Sequence, residues 1–125
     1  MILATMLLMA ANVPQSLLDR ADEANLAYVR CLFGVTREAN AAGLRVEQFE
    51  RRMAESCLSE ESSVRSLGSR ILTLRGNGSP AASVDGFIRQ TKRKMVEDYR
   101  KLPQQKQALE ELARVCRQQP EACRH

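Results

Sequence analysis

The chain has 125 residues, 44% of them hydrophobic and 27% charged, and its formal net charge is +4. This length predicts a single domain with one modest core. The one histidine is the last residue, His125, which excludes histidine-based zinc sites and catalysis by Ser-His-Asp or Cys-His groups.

The N-terminal residues 1–11 are predicted to be a signal peptide. Residues 2–11 form an uncharged apolar run, and ten residues of helix rise only about 15 Å, half of a bilayer's hydrocarbon core. This length is typical of a signal-peptide core, and the run ends in the small residues Ala10 and Ala11. The alternative is a buried N-terminal helix of a cytosolic protein. We expect residues 12–125 to form one helical domain without a transmembrane segment, located in the periplasm or secreted.

The next segment, residues 16–75, is predicted to be an antiparallel helical hairpin, because apolar residues recur there at helical spacing. The first helix is expected to begin near Ser16, whose hydroxyl can cap the free amides. It is expected to end near Ala42, with Gly43 as a left-handed C-cap. The second helix is expected to run without a break from residue 45 to residue 75, where a Gly-Asn-Gly-Ser-Pro sequence ends it.

The two apolar stripes of the hairpin predict its register. Facing positions of an antiparallel hairpin lie equally far from its turn, and both stripes satisfy this condition around residue 44. The predicted pairs, written by residue number, are 39/49, 35/53, 31/57, 28/60, 24/64, 21/67 and 17/71. Cys31 and Cys57 therefore lie at the same height, which favours a disulfide between them. Tyr28 faces Glu60, the one charged residue of the stripes, and is predicted to donate a hydrogen bond to its carboxylate.

The C-terminal part is predicted to form two further helices. The third is expected to begin at Pro80 or Ser83, both suited to a first turn, and Pro103 ends or kinks it. The fourth is expected to run from about residue 104 to residue 117, and Pro120 follows its end. We expect both helices to bury their apolar faces on the hairpin. These faces comprise Val84, Phe87, Ile88, Thr91, Met95, Tyr99 and Leu102, and then Leu109, Leu112, Val115 and Cys116.

The four cysteines allow three disulfide connectivities. We predict Cys31–Cys57 and Cys116–Cys123, because Pro120 can fold the chain back after the last helix. A four-thiolate metal site is the alternative, but it requires all four cysteines to converge. The predicted fold is therefore all-α: an antiparallel helical hairpin plus two further helices in a small disulfide-stabilised bundle, which suits an exported protein.

The excess positive charge lies in the C-terminal part. Residues 16–75 hold equal numbers of acidic and basic side chains, whereas residues 76–125 hold ten basic and six acidic ones. A candidate interaction surface on the third helix consists of Arg89, Lys92, Arg93, Lys94, Arg100 and Lys101. Of these, Lys92, Arg93 and Lys94 are expected to project mostly away from the apolar face. Such a surface suits nucleic acid, anionic lipid or an acidic protein. Glu97 and Asp98 interrupt the run and favour the other interpretation, an ordinary solvated helix face.

A Tyr-x-x-Cys sequence on the first helix (Tyr28 to Cys31) is combined with Cys-x-x-Glu on the second (Cys57 to Glu60). This arrangement resembles small exported helical proteins of alphaproteobacterial type. The resemblance covers residues 26–76. That family has no known activity, so the resemblance implies an exported helical protein and no site. Periplasmic helical-hairpin chaperones and metal-stress sensors are also similar in arrangement, but their L-T-x-x-Q repeat is missing from this sequence.

These features predict a non-enzymatic exported protein that acts through its helical surface on a protein or envelope component. We predict no catalytic, cofactor-binding or metal-binding residues, because the sequence contains no glycine-rich phosphate loop or nucleophile elbow. Hydrolysis by Glu60 would need a second carboxylate or a nucleophile on the same face. The alternative is a cytosolic basic helical protein that binds nucleic acid through residues 89–101. It requires reduced cysteines, and no platform of aromatic side chains accompanies the basic ones, so we do not expect nucleic acid as the partner.

Overall fold

A computed structural model describes residues 13–124 of the protein. These residues form an all-α fold, as predicted, with four α-helices and one short 3-10 helix. The elements are α1 (Gln15–Ala41), α2 (Val46–Glu55), α3 (Leu58–Leu74), α4 (Pro80–Gln118) and the 3-10 helix Pro120–Cys123. The predicted signal peptide, residues 1–11, lies outside the described residues. No helix within the described range is both long enough and apolar enough to cross a membrane.

Helix α1 agrees closely with the predicted first helix. It begins at Gln15, which places Ser16 inside the first turn, so the predicted Ser16 cap is wrong. The amide of Leu17 donates instead to the carbonyl of Pro14. After α1, Gly43 adopts the predicted left-handed conformation with φ of 66°, which glycine accepts without steric cost. The chain therefore turns within a few residues, and α3 packs along α1.

The predicted uninterrupted second helix is wrong, because the chain leaves the helical path at Ser56 and Cys57. Ser56 is extended (φ −102°, ψ 157°) and Cys57 is left-handed (φ 61°, ψ 31°). The Ser56 hydroxyl donates a hydrogen bond to the carbonyl of Arg52 where α2 ends. The amide of Glu61 donates to the carbonyl of Cys57 where α3 begins. Cys57 is also bonded to Cys31 of α1, so the break coincides with the covalent link across the hairpin.

Both predicted disulfides are present. Cys31–Cys57 joins α1 to the start of α3, with Cα atoms 5.9 Å apart. Cys116–Cys123 joins the last turn of α4 to the 3-10 helix, with Cα atoms 5.6 Å apart. Pro120 opens the 3-10 helix and folds the chain back, since a continuous helix would separate Cys116 and Cys123 by about 10.5 Å.

The core lies between the hairpin and the first half of α4. Buried stripe residues occur along the whole hairpin, among them Leu17, Ala39, Phe49, Val64 and Ile71. Their burial confirms that the predicted apolar faces are the faces through which the hairpin helices pack. Leu32, which the predicted stripe does not include, is also fully buried, because α4 lies beside α1 on a second side.

Helix α4 is one helix where two were predicted. It begins at Pro80, continues through Pro103 and ends at Gln118, so the separate fourth helix over residues 104–117 is wrong. A proline inside a helix removes one backbone hydrogen bond. Pro103 itself is exposed, and the carbonyl that loses its partner is that of Tyr99, four residues earlier in the helix.

The first half of α4 packs on α3 and α2, and Tyr99 secures its contact with the hairpin turn. The Tyr99 hydroxyl donates a hydrogen bond to the carbonyl of Leu44 at 2.5 Å. Its ring stacks on Phe49 with a centroid distance of 4.1 Å. The buried residues of α4 are Val84, Ile88, Val96 and Tyr99.

Several apolar residues of α4 remain in solvent, contrary to prediction. Phe87 is half exposed, and Leu109 and Leu112 are 67% and 56% exposed. Beyond Leu102, α4 extends past the hairpin turn that Tyr99 contacts, and Leu109 borders a cavity that it shares with Gly43 and Leu44 of this turn.

Candidate interaction surfaces

The six predicted basic residues do not form one surface, because α4 directs them to different sides. Lys92 lies at four-residue spacing from the buried residues Ile88 and Val96 and therefore faces α3. Its Nζ atom is 2.7 Å from Oε2 of Glu61, and its side chain is only 18% exposed. The prediction that Lys92 projects into solvent is wrong.

Glu61 is the centre of an ion-pair cluster between α3 and α4. Its carboxylate also accepts a hydrogen bond from Arg65 at 3.0 Å, and Arg65 pairs with Asp85 of α4. Burial by itself raises the pKa of the Glu61 carboxyl, but hydrogen bonds and positive charge from Lys92 and Arg65 outweigh burial and lower the pKa below its usual 4.5. Nothing in the local sequence identifies Glu61, rather than Glu60, as the carboxylate that pairs with Lys92, because Lys92 lies 31 residues away along the chain.

Tyr28 does not form the predicted hydrogen bond with Glu60. Its hydroxyl is buried and has no hydrogen-bond partner among the described residues, whereas Glu60 accepts a hydrogen bond from Ser59. Burial raises the pKa of Tyr28 to about 12; the negative charge of Glu61 adds to this effect and the positive charge of Arg65 opposes it. The pairing of residues 28 and 60 assumes a continuous second helix, and the break before α3 removes that condition.

Three of the basic residues form a row along α4, which we call the arginine row: Arg89, Arg93 and Arg100. At 100° per residue they lie within a sector of about 40°, and the row spans about 16 Å along the helix axis. In the part of the chain that the structure describes, none of them has a carboxylate within 4.0 Å. The row lines a groove of about 360 Å³ between α4 and α2, whose α2 wall consists of Glu50, Met53 and Ala54. Nε of Arg89 donates a hydrogen bond to the backbone carbonyl of Asp85 at 3.4 Å, so within residues 13–124 the three guanidinium groups lack a carboxylate partner but not every hydrogen-bond partner.

The remaining two basic residues, Lys94 and Lys101, lie about 80° or more around the helix from each member of the arginine row. Lys94 borders a second groove, of about 320 Å³, between α4 and α1. This groove is apolar, with Phe33 and Met95 among its lining residues. Lys94 and Lys101 are exposed, so they serve as matched controls for the arginine row.

The end of α4 and the 3-10 helix form a second candidate surface, which we call the C-terminal arm (residues 103–124). Every residue from 103 to 114 is exposed. Leu109 and Leu112 lie three residues apart and thus share one face of the helix. The Cys116–Cys123 disulfide links the end of the helix to the segment that follows it. The arm therefore presents an apolar helix face that the core leaves uncovered.

Among residues 13–124, one group of side chains has the composition of a metal site: Cys31, Cys57 and Glu60, whose ligand atoms lie within 4.8 Å of one another. The two sulfur atoms are bonded to each other, whereas the form of cysteine that binds metals is the thiolate. Cys116 and Cys123 are bonded at the far end of α4, so the four cysteines do not converge.

The chain matches no protein-family model, no curated protein and no solved structure. The arginine row and the C-terminal arm are therefore defined by geometry and charge alone.

Proposed function

We propose that the protein is exported and acts without catalysis, by binding a protein partner through the C-terminal arm. The observation that carries this proposal is the exposure of Leu109 and Leu112 on one helix face. Covering apolar surface contributes about 25 cal/mol per Å², and exposed apolar patches on helices are typical of interaction sites. The Cys116–Cys123 bond restrains the end of the arm before binding, which lowers the entropic cost of association. Disulfides also favour an oxidising compartment.

Site-specific photo-crosslinking in the native host tests the arm. A photoreactive amino acid replaces Leu109 or Leu112 in the full chain, and the control position is Gln107, which is exposed on roughly the opposite side of α4. We expect the same discrete crosslinked protein from positions 109 and 112 and none from 107. No product from the two leucine positions, or the same product from Gln107, contradicts the proposal.

A double variant, Leu109→Ser with Leu112→Ser, provides the second test. Both residues lie outside the core, so the melting temperature should stay close to that of the wild type. The affinity for the crosslinked partner should fall at least about tenfold, the effect of losing roughly 1.4 kcal/mol of apolar contact. An unchanged affinity would show that the arm is not the binding surface.

Intact-mass spectrometry of protein isolated from its host tests export. We expect the loss of about eleven N-terminal residues, as signal-peptide cleavage requires, and the absence of the four hydrogens that two disulfides remove. A full-length mass with four free thiols would place the protein in the cytosol and contradict export.

The arginine row favours a second candidate function, binding of nucleic acid in the cytosol. If this function is correct, the logarithm of the affinity for an oligonucleotide falls linearly with the logarithm of the salt concentration. Replacing Arg89 and Arg93 with Ala then flattens that slope more than replacing Lys94 and Lys101 does, although both variants lose two positive charges. Absence of salt-sensitive binding at low ionic strength excludes this function. Vesicles of phosphatidylglycerol, tested in the same way, distinguish an anionic envelope surface from nucleic acid.

A further inference from the structure

The break between α2 and α3 contains an unfavourable backbone conformation. Cys57 is the only non-glycine residue with positive φ among residues 13–124, and this conformation costs free energy because Cβ crowds the following carbonyl oxygen. The first turn of α3 has no side-chain cap, so its free amides gain no compensation from a capping side chain. The break is therefore a conformation that other interactions must hold in place.

The apolar register continues through the break as in a single helix. The buried residues of this face follow one another at intervals of four and seven: Phe49, Met53, Cys57, Val64 and Ile71. One continuous helix over residues 46–74 would present the same side chains to α1 and would form the backbone hydrogen bonds that the break omits. It would also bring Glu60 opposite Tyr28, whose buried hydroxyl has no partner within the described residues.

A disulfide lies at the break and connects it to α1. The Cys57 sulfur is bonded to that of Cys31, with Cα atoms 5.9 Å apart. Cys57 is buried, whereas Cys31 is only partly buried, so we expect a small dithiol to approach the bond from the Cys31 side. Cys57 is thus both the one non-glycine residue with positive φ among residues 13–124 and one end of the covalent link between α1 and the start of α3.

We propose that the Cys31–Cys57 disulfide is a redox switch that keeps α2 and α3 as two separate helices. A dithiol reductant breaks the S–S bond, leaves a thiol on each cysteine and is itself oxidised to a disulfide, so that two electrons and two protons are transferred. Cys57 then leaves the left-handed conformation, and α2 and α3 join into one helix. Because α2 supplies one wall of the groove beside the arginine row, the same step reshapes that groove. This proposal does not depend on the C-terminal arm.

Nuclear magnetic resonance of the full chain, oxidised and after treatment with dithiothreitol, tests the switch. On reduction we expect the ¹³Cα shifts of Ser56 and Cys57, the two non-helical residues at the break, to move to helical values. Amide exchange at residues 58–60 should slow at least about tenfold, as new helical hydrogen bonds protect these amides. A Cys116→Ser/Cys123→Ser variant, which keeps only Cys31–Cys57, should show the same changes.

Two variants that both lack the disulfide provide the matched comparison. Cys57→Ala favours the helix, whereas Cys57→Gly accepts the left-handed conformation. We expect helical ¹³Cα shifts at residues 56 and 57 in the alanine variant. In the glycine variant we expect non-helical shifts at these residues and weaker protection of their amides from exchange. The proposal is overturned if the reduced, folded protein keeps non-helical shifts at these residues, or if the two variants do not differ. It is also overturned if reduction unfolds the protein, because the disulfide would then be purely structural.

Discussion

The ammonium group of Lys92 lies 2.7 Å from the carboxylate of Glu61, and the two side chains are only 18% and 12% exposed. This contact joins α3 to α4 next to the buried Ile88 and Val96. A shielded ion pair costs desolvation, and removing one partner leaves the other charge poorly solvated. Lys92 therefore differs in kind from the exposed basic residues around it.

The first prediction compares charge reversal at two neighbouring lysines. Lys92→Glu places a second carboxylate against Glu61 and should lower the free energy of unfolding by about 2 kcal/mol or more. Lys94→Glu changes an exposed residue and should stay within about 0.5 kcal/mol. Urea denaturation of both variants measures the difference. Equal effects would mean that the Lys92–Glu61 pair contributes little in solution.

The second prediction concerns the acid stability that Glu61 supplies. Because the folded-state pKa of Glu61 lies below its usual 4.5, its stabilising contribution is present above about pH 4.5 and is lost as the pH falls through the folded-state pKa. Wild type should therefore lose stability relative to Glu61→Gln as the pH falls below 4.5. Unfolding free energies of the two proteins between acid and neutral pH measure this effect. Parallel pH profiles would contradict it.

The third prediction concerns the buried hydroxyl of Tyr28. Tyr28→Phe removes a polar group without a hydrogen-bond partner in the described chain, so the unfolding free energy at neutral pH should rise by about 1 kcal/mol. Burial raises the pKa of Tyr28 to about 12, and the folded state therefore favours the neutral phenol. Its contribution is complete below about pH 10 and is lost as the pH rises through 12. An ultraviolet titration should show a tyrosinate transition near pH 12 that Tyr28→Phe lacks.

The fourth prediction ranks the two disulfides. In the chain-entropy model, the loop closed by Cys31–Cys57 contributes at most about 3.5 kcal/mol and the short loop closed by Cys116–Cys123 about 2.5 kcal/mol. The first bond lies at the core and the second lies in the C-terminal arm. Replacing Cys31 and Cys57 with Ser should therefore lower the melting temperature more than replacing Cys116 and Cys123, which should mainly loosen the arm. The reverse order would contradict this ranking.

The fifth prediction tests the hairpin register. Val64→Asp buries an unpaired carboxylate in the core and should destabilise the protein by about 3 kcal/mol or more. Ser62→Asp introduces the same charge at an exposed position and should have little effect. Arg65 is unsuitable as the control because it binds Glu61 and Asp85. Thermal unfolding of the two variants measures the difference between their effects on stability, and equal effects would contradict the register.

The hairpin and both disulfides follow from the sequence because each depends on local periodicity and on distance from a turn. Gly43 places the turn, and equal spacing on either side then brings Cys31 level with Cys57. Pro120 reverses the chain between Cys116 and Cys123. Only residues close in sequence, or related by one turn, enter these arguments.

The tertiary structure alone decided the break at Ser56–Cys57, the partner of Lys92 and the exposure of the C-terminal arm. The apolar pattern passes through the break unchanged, so periodicity could not reveal it. Lys92 meets Glu61 because α4 packs on α3, a contact between residues 31 positions apart. Leu109 and Leu112 are exposed because α4 is longer than the hairpin beside it. An apolar helical stripe specifies which face can be buried, whereas its burial depends on whether another helix extends far enough to cover it.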